Sequence, residues 1–270
     1  MLFGSRAVAL TTAGCHGADA EFRSLLLHMR RAELTRSEGE LLRSRVVATA
    51  PDDAVYLDST TEAAKVRNNK CLVSLDQPLV SFVAEDDYKQ LSDHHRKQLL
   101  ADYTKAEYQM KLCVGAVVLL ACNAYFHTHG LSAGARGVVI GSYTFADKRG
   151  KFERLPIVNF LLPTDARRRL FIKREMFCVT GLSARDKEAA TRLQVPLVLG
   201  WAVTIHKAQG MTLDTLALSF GPVLTVSMVY VAISRVRRLQ DVFLLSFDAS
   251  RVSVCRQALE FHDSLHLITP

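Results

Sequence analysis

Four side chains able to bind an anion stand within six residues of one another in WAVTIHKAQGMTLD, residues 201–214: Thr204, His206, Lys207 and Gln209. Lys207 supplies a point charge and Thr204 a hydroxyl, while His206 and Gln209 donate without carrying full charge. Gly210 follows at once and lets the backbone come close to a ligand. Together these make a kit for phosphate oxygens. A core segment does not choose such residues, because each needs a partner or water when buried. The plainer alternative is a helix start whose polar residues only cap it, and residue types alone leave both readings open.

A second constellation is VYVAISRVRRLQ, residues 229–240, apolar up to Ser234 and Arg235 and then carrying Arg237 and Arg238. A cation at a helix C-terminus is ordinarily a dipole partner on the surface, which accounts for Arg237 and Arg238. Arg235 differs. It directly follows the apolar face, where a guanidinium is aimed rather than solvated.

These residues need elements to hold them. VPLVLGWAV reads as one continuous apolar strand, LDTLALSF as a second and DVFLLSF as a third. Between the last two, VSMVYVAISR reads as a helix with Val226, Val229, Tyr230 and Ile233 on one face. Strands that are apolar throughout, alternating with a helix, predict a parallel sheet covered on both sides. Ligands of such sheets bind at the carboxyl ends of the strands, and TIHKAQG follows directly after one. Trp201, the single tryptophan, reads as a buried strand residue, with base stacking as the alternative.

Upstream, Phe22, Leu25, Leu26 and Met29 recur at helical spacing, and Thr35 with Glu38 forms a capping box for a second helix. AVYL at 54–57 is a short buried strand, and TEAAKVRNNKCLVSL is the helix after it. Residues 85–109 are polar and predict a surface helix or connection. From 111 the runs KLCVGAVVLLACN, GARGVVIGSY, LPIVNFLL and RRLFIKREMFCV are short, β-rich and punctuated by glycine, which predicts a small barrel. DKRGKFER, 147–154, is a basic hairpin tip carrying Lys148 and Lys151. The expected organisation is an irregular or leader-like start over 1–20, an α/β lobe in two pieces over 21–110 and 195–270, and a β-barrel inserted over 111–194.

The bulk numbers agree with an anionic partner. Among 270 residues, 34 are basic and 27 acidic, for a net charge of +7. Nucleic acid is the commonest such partner, although a solvated surface with a modest Lys/Arg surplus has the same balance. None of the six cysteines forms a CxxC pair, which argues against a zinc site or disulfide framework and fits a reducing compartment. No apolar run reaches the roughly 18–20 residues of a membrane span, and no membrane partner is expected.

LVLGWAVTIHKAQGMTLD and MVYVAISRVRRLQDVFLLSF resemble motifs V and VI of the PIF-type (petite integration frequency) DNA helicases, the RecD-like branch of helicase superfamily one. FRSLLLHMRRAELTRSEGELLRSRVV is similar to that family's segment after motif IV, and LCVGAVVLLACNAYFHTHGLSAGARGVVIG resembles its β-barrel insertion. The likeness covers about residues 22–247, with several motifs in the family's order.

The resemblance implies an α/β fold: a RecA-like parallel-sheet lobe, the second helicase lobe, with a small β-barrel inserted. It makes Arg235 the catalytic finger that reaches the terminal phosphate of ATP, a role worth on the order of 10³–10⁵ in rate. Thr204, His206 and Lys207 match motif V positions associated with the single-strand backbone. Gln209 and Gly210 lie at the junction between that contact and the nucleotide, and so bind ATP together with Arg235. In the barrel, Lys148, Lys151 and Arg167–Arg169 become phosphate-contact candidates, or else solvated hairpin tips. The chain departs from the family pattern with Ala208 for Ser and Thr61 for Asn, whereas Asn68 fits.

No GxxxxGK[ST] occurs in the sequence, nor a strand-borne paired-acid motif. The phosphate-cradling loop and the magnesium ligands are therefore expected in a first lobe, encoded upstream or separately. The implied function is the C-terminal part of an ATP-dependent 5′–3′ DNA helicase. It would act on single-stranded or forked DNA in genome maintenance, in the nucleus or mitochondrion, with ATP and Mg held mainly by the first lobe. The alternative is a non-catalytic single-stranded nucleic-acid-binding module or pseudohelicase lobe.

Overall fold

The computed structural model describes residues 8–9, 19–88, 106–146, 150, 152–162, 167–179, 190–220, 227–264 and 266–267. The chain divides into two compact units. One comprises Met1–Thr61, Thr204–Gln209 and Leu213–Pro270, the other Glu62–Val203 and Gly210–Thr212. The joints at 61/62 and 203/204 fall inside the expected segments 21–110 and 195–270 rather than at their ends. Most of the expected irregular start lies outside the described residues; Val8–Ala9 pairs in parallel with His266–Leu267.

The first unit is built on the expected parallel sheet. Leu216–Leu218 lies between Val55–Asp58 and Val242–Leu244, in register Leu216↔Val55 and Leu216↔Val242. Ala202–Thr204 flanks Val55–Asp58 as the fourth strand, and through it the chain re-enters this unit. Val55, Leu57, Leu216, Ala217, Leu218, Val242 and Leu244 are all buried, as strands covered on two sides require.

Helix Ala20–Arg31 buries Phe22, Leu25, Leu26 and Met29, and the Asp19 carboxylate accepts the Phe22 N–H at 2.9 Å. Helix Arg36–Arg43 opens on the capping box: the Thr35 hydroxyl accepts the Glu38 N–H, and Glu38 accepts the Thr35 N–H. Helix Met228–Ile233 packs on Ala20–Arg31. Its buried face is Met228, Val229, Ala232 and Ile233. Tyr230, expected on that face, is half-buried, and Val226 lies outside the described residues.

VPLVLGWAV is not one strand. Leu197–Leu199 pairs antiparallel with Val117–Leu120, and the chain bends at Gly200 and Trp201 before Ala202–Thr204. Gly200 donates its N–H to the Val117 carbonyl at 2.8 Å, and a Cβ on it would sit 2.9 Å from the Val118 carbonyl carbon. Only glycine allows that approach. Trp201 is half-buried at the bend and packs against the core of the second unit.

The second unit is antiparallel apart from helix Thr61–Ser74, which begins at the joint, and the short helix Phe126–His129. Its largest sheet has the spatial order Leu197–Leu199, Val117–Leu120, Arg136–Ala146, Phe152–Leu161, Arg167–Phe171. Val80–Val83 pairs with Gln109–Leu112, and Ala190–Gln194 lies between Glu175–Val179 and Glu85–Tyr88. Among the described residues these are three separate sheets, and the first two share a core that includes Phe82, Leu120, Val158 and Phe160.

The polar segment 85–109 is not a surface helix where it is described. Glu85–Tyr88 is a strand, and Asp86 forms a buried two-pronged ion pair with Arg192, both contacts at 2.8 Å. Arg192 also donates to the Ala106 carbonyl, and Gln194 donates to the carbonyls of Phe82, Glu107 and Tyr108. Residues 89–105 lie outside the described residues.

Candidate nucleotide and nucleic-acid site

The polar stretch after Ala202–Thr204 is a turn, not a helix start. Thr204 is 5% exposed, and its Oγ1 accepts the backbone N–H of Lys207 at 3.2 Å. Its carbonyl accepts the Ala208 N–H at 2.9 Å, and Gln209 N–H reaches the His206 carbonyl at 3.2 Å. Thr204 therefore does not project. Its hydroxyl acts within the turn, on the Lys207 N–H. His206, Gln209 and Gly210 are exposed and Lys207 is half-buried. Gly210 has φ +71, a left-handed conformation that glycine adopts without strain.

One departure from the pattern the resemblance implies falls on a buried residue. Ala208 is fully buried, so a Ser hydroxyl there would need a partner inside the protein. Ile205, also buried, donates its N–H to the Asp58 carbonyl at 3.0 Å and staples the turn to the sheet.

Arg235 follows the end of helix Met228–Ile233, half-buried. Its guanidinium folds back on that helix: Nε donates to the Val231 carbonyl and Nη2 to the Ser234 hydroxyl, each at 2.8 Å. Ser234, 6% exposed, donates in turn to the Val231 carbonyl at 3.0 Å. Arg238 instead forks onto Asp241 at 2.9 and 3.1 Å. The two constellations meet in the backbone, where Leu213, three residues after Gly210, donates its N–H to the Arg235 carbonyl at 2.9 Å.

Two contributors carried weak sequence signals. Ser234 reads as an ordinary helix-end serine until its position between Val231 and Arg235 is seen. Asn68 grips the residue that begins the strand before the turn: its amide donates to the Ala202 carbonyl at 2.6 Å and accepts the Ala202 N–H at 2.8 Å. Lys148 and Lys151 lie outside the described residues. Arg167, Arg168 and Arg169 are exposed on a strand, with Arg168 3.4 Å from His129 Nδ1. Among the described residues no group of three or more His, Cys, Asp or Glu side chains is arranged to hold a metal ion, and no helix is long and apolar enough to cross a membrane.

No protein-family model matches the chain. The ATP-dependent DNA helicase PIF1 of mouse (Mus musculus) is 33% identical over 252 residues, 92% of this chain. By sequence, the chain is similar to the PIF1 helicases over nearly all of its length. It spans about a third of that relative's length, 36%.

Solved structures of the PIF1 family agree in fold. The Pif1 helicase of Candida albicans superposes with a TM-score of 0.65 at 24% identity, covering 93% of this chain and 59% of its own. Bacteroides Pif1 in complex with ADP-AlF4 gives 0.68 at 20% identity, covering 91% and 54%. Bacteroides Pif1 bound to single-stranded DNA gives 0.54 at 22%, covering 90% and 53%. With the parallel sheet described above, these indicate an α/β, RecA-like lobe within the PIF1 fold.

Proposed function

We propose that this chain is the second RecA-like lobe, with its small β-barrel insertion, of a PIF1-type ATP-dependent DNA helicase. It would translocate 5′ to 3′ on single-stranded or forked DNA in repair, recombination or the upkeep of telomeric or organellar DNA, in the nucleus or mitochondrion. The observation that carries this reading is the Leu213–Arg235 hydrogen bond, which ties the segment leaving the polar turn to the arginine just past the helix. A change of grip at one can then be felt at the other. The antiparallel strands of the second unit correspond in this reading to the barrel insertion.

Each residue has a role in the proposal. Lys207 and His206 contact the backbone of the strand, and Thr204 fixes the Lys207 backbone that aims the ammonium. Gln209 and Gly210 sit between that contact and the nucleotide. Arg235 leaves Val231 and Ser234 when a triphosphate is offered, and its guanidinium neutralises charge developing on the transferred phosphoryl group. Bound ATP would supply the phosphoanhydride to be cleaved, and magnesium held by the first lobe would offset its charge. The donor set suits one side of that ligand. The cradle and metal ligands belong to a first lobe, in the same polypeptide or another. Lys148 and Lys151 would add phosphate contacts in the insertion.

Binding of the 270-residue chain to oligo-dT, measured across a salt series, tests the reading. Affinity that falls steeply with salt, is weakened by Lys207→Ala and is retained by Arg235→Ala supports it. Affinity indifferent to Lys207→Ala contradicts it.

A further inference from the structure

The antiparallel sheet of the second unit carries aromatic rings that none of these roles uses. Tyr143 is paired with Leu155, Phe145 with Glu153, Gly141 with Ile157, and Ile157 with Phe171. Directly opposed residues of antiparallel strands share a face, so Tyr143, Phe145 and Phe171 lie together. The Tyr143 and Phe145 rings are nearly parallel, 11° apart with centroids at 6.3 Å, and Phe171 meets Tyr143 edge-on at 5.8 Å. Tyr143 is 53% exposed and Phe171 50%. The same register brings Arg169, opposite Asn159, and Arg167, opposite Leu161, onto that face. Both are exposed, with no ion-pair partner among the described residues. The acid on this face, Glu153, is already paired with Arg174 at 3.2 Å.

Rings left in water beside two uncompensated guanidinium groups call for a ligand with flat π faces and a repeating negative charge. A protein partner could cover the rings, but would need acids placed to meet the arginines. A single strand of nucleic acid offers both features at every nucleotide, and stacking tolerates any base sequence because every base has a π face. We infer that Tyr143, Phe145 and Phe171, edged by Arg167 and Arg169, form a base-stacking platform for single-stranded nucleic acid. The inference rests on the proposed function and adds a contact to bases where the turn at Thr204–Gln209 offers contacts to phosphate.

The test is fluorescence anisotropy of the 270-residue chain on labelled oligo-dT and on an abasic deoxyribose-phosphate strand of equal length. The Tyr143→Leu/Phe171→Leu pair keeps apolar bulk while removing ring faces. It should weaken oligo-dT binding about tenfold and leave both the abasic affinity and the salt dependence unchanged. Arg167→Gln/Arg169→Gln should weaken both strands and flatten the salt dependence. The platform is overturned if the leucine pair binds oligo-dT as the parent does, or loses both strands equally. Loss on Lys207→Ala beside an unaffected leucine pair sinks the platform alone. A parent chain that binds neither strand sinks the proposed function with it.

Discussion

Leu213 donates its backbone N–H to the carbonyl of Arg235 at 2.9 Å, so the segment leaving the polar turn is tied to the residue just past the end of the following helix. A side-chain substitution at either position leaves that tie in place, which makes the side chains separately testable.

Thr204 holds Lys207 through a single side-chain hydrogen bond. Thr204→Ala should cost about 1 kcal/mol, as loss of a capping hydroxyl does, and should weaken single-strand binding by freeing the Lys207 backbone. Thr204→Ser should restore both. Urea midpoints and oligo-dT affinities for the three proteins check this, and a serine variant no better than alanine would refute the capping role.

Asn68 satisfies both backbone groups of Ala202, a residue 1% exposed. Asn68→Ala leaves a buried donor and acceptor without that partner and should destabilise by about 1–3 kcal/mol. Asn68→Asp should not rescue it, since a carboxylate can accept the N–H but cannot donate to the carbonyl. Chemical denaturation of the two variants decides.

Glu38 gives a signed pH dependence. Burial pushes its carboxyl pKa up, but hydrogen bonds from the Thr35 N–H, from His28 and from the Thr35 hydroxyl outweigh burial and leave it below the ordinary value of 4.5. A lowered folded-state pKa contributes stability that is complete above the unfolded value and lost as pH falls through the folded one. The stability difference between the parent and Glu38→Gln should therefore be constant near neutrality and shrink as pH drops below about 4.5. Unfolding midpoints from pH 7 down to pH 3 measure it, and a difference that stays flat with pH would contradict the pairing.

Asp86 and Arg192 are each 4% exposed in their side chains. Removing the acid alone leaves a buried guanidinium and should cost about 3–5 kcal/mol. Asp86→Ala should show this as a large fall in denaturation midpoint, and a change below about 1 kcal/mol would mean the pair is more solvated than its geometry implies.

The parallel sheet was legible because Leu216–Leu218 and Val242–Leu244 are apolar on both faces, and helix Ala20–Arg31 because its buried residues recur at i, i+3, i+4 and i+7. The break inside VPLVLGWAV was not legible, since three apolar residues on each side look alike and only Gly200 marks the turn between two different sheets. The strand Glu85–Tyr88 was hidden for another reason. Its acidic letters suggest a surface, and the arginine that pairs with Asp86 lies 106 residues away. The candidate residues of the site were legible as types, but not their directions. That Thr204 turns inward and Arg235 folds onto Ser234 depends on side-chain contacts that spacing does not encode.

The role of Arg235 is tested most directly by DNA-stimulated ATP hydrolysis in a chimera where this chain replaces its matching segment of mouse PIF1. The chimera should hydrolyse ATP on single-stranded DNA, and Arg235→Ala should slow it by about 10³-fold or more while leaving DNA affinity intact. A chimera that binds DNA and nucleotide yet turns over equally fast with alanine at 235 would contradict the assignment.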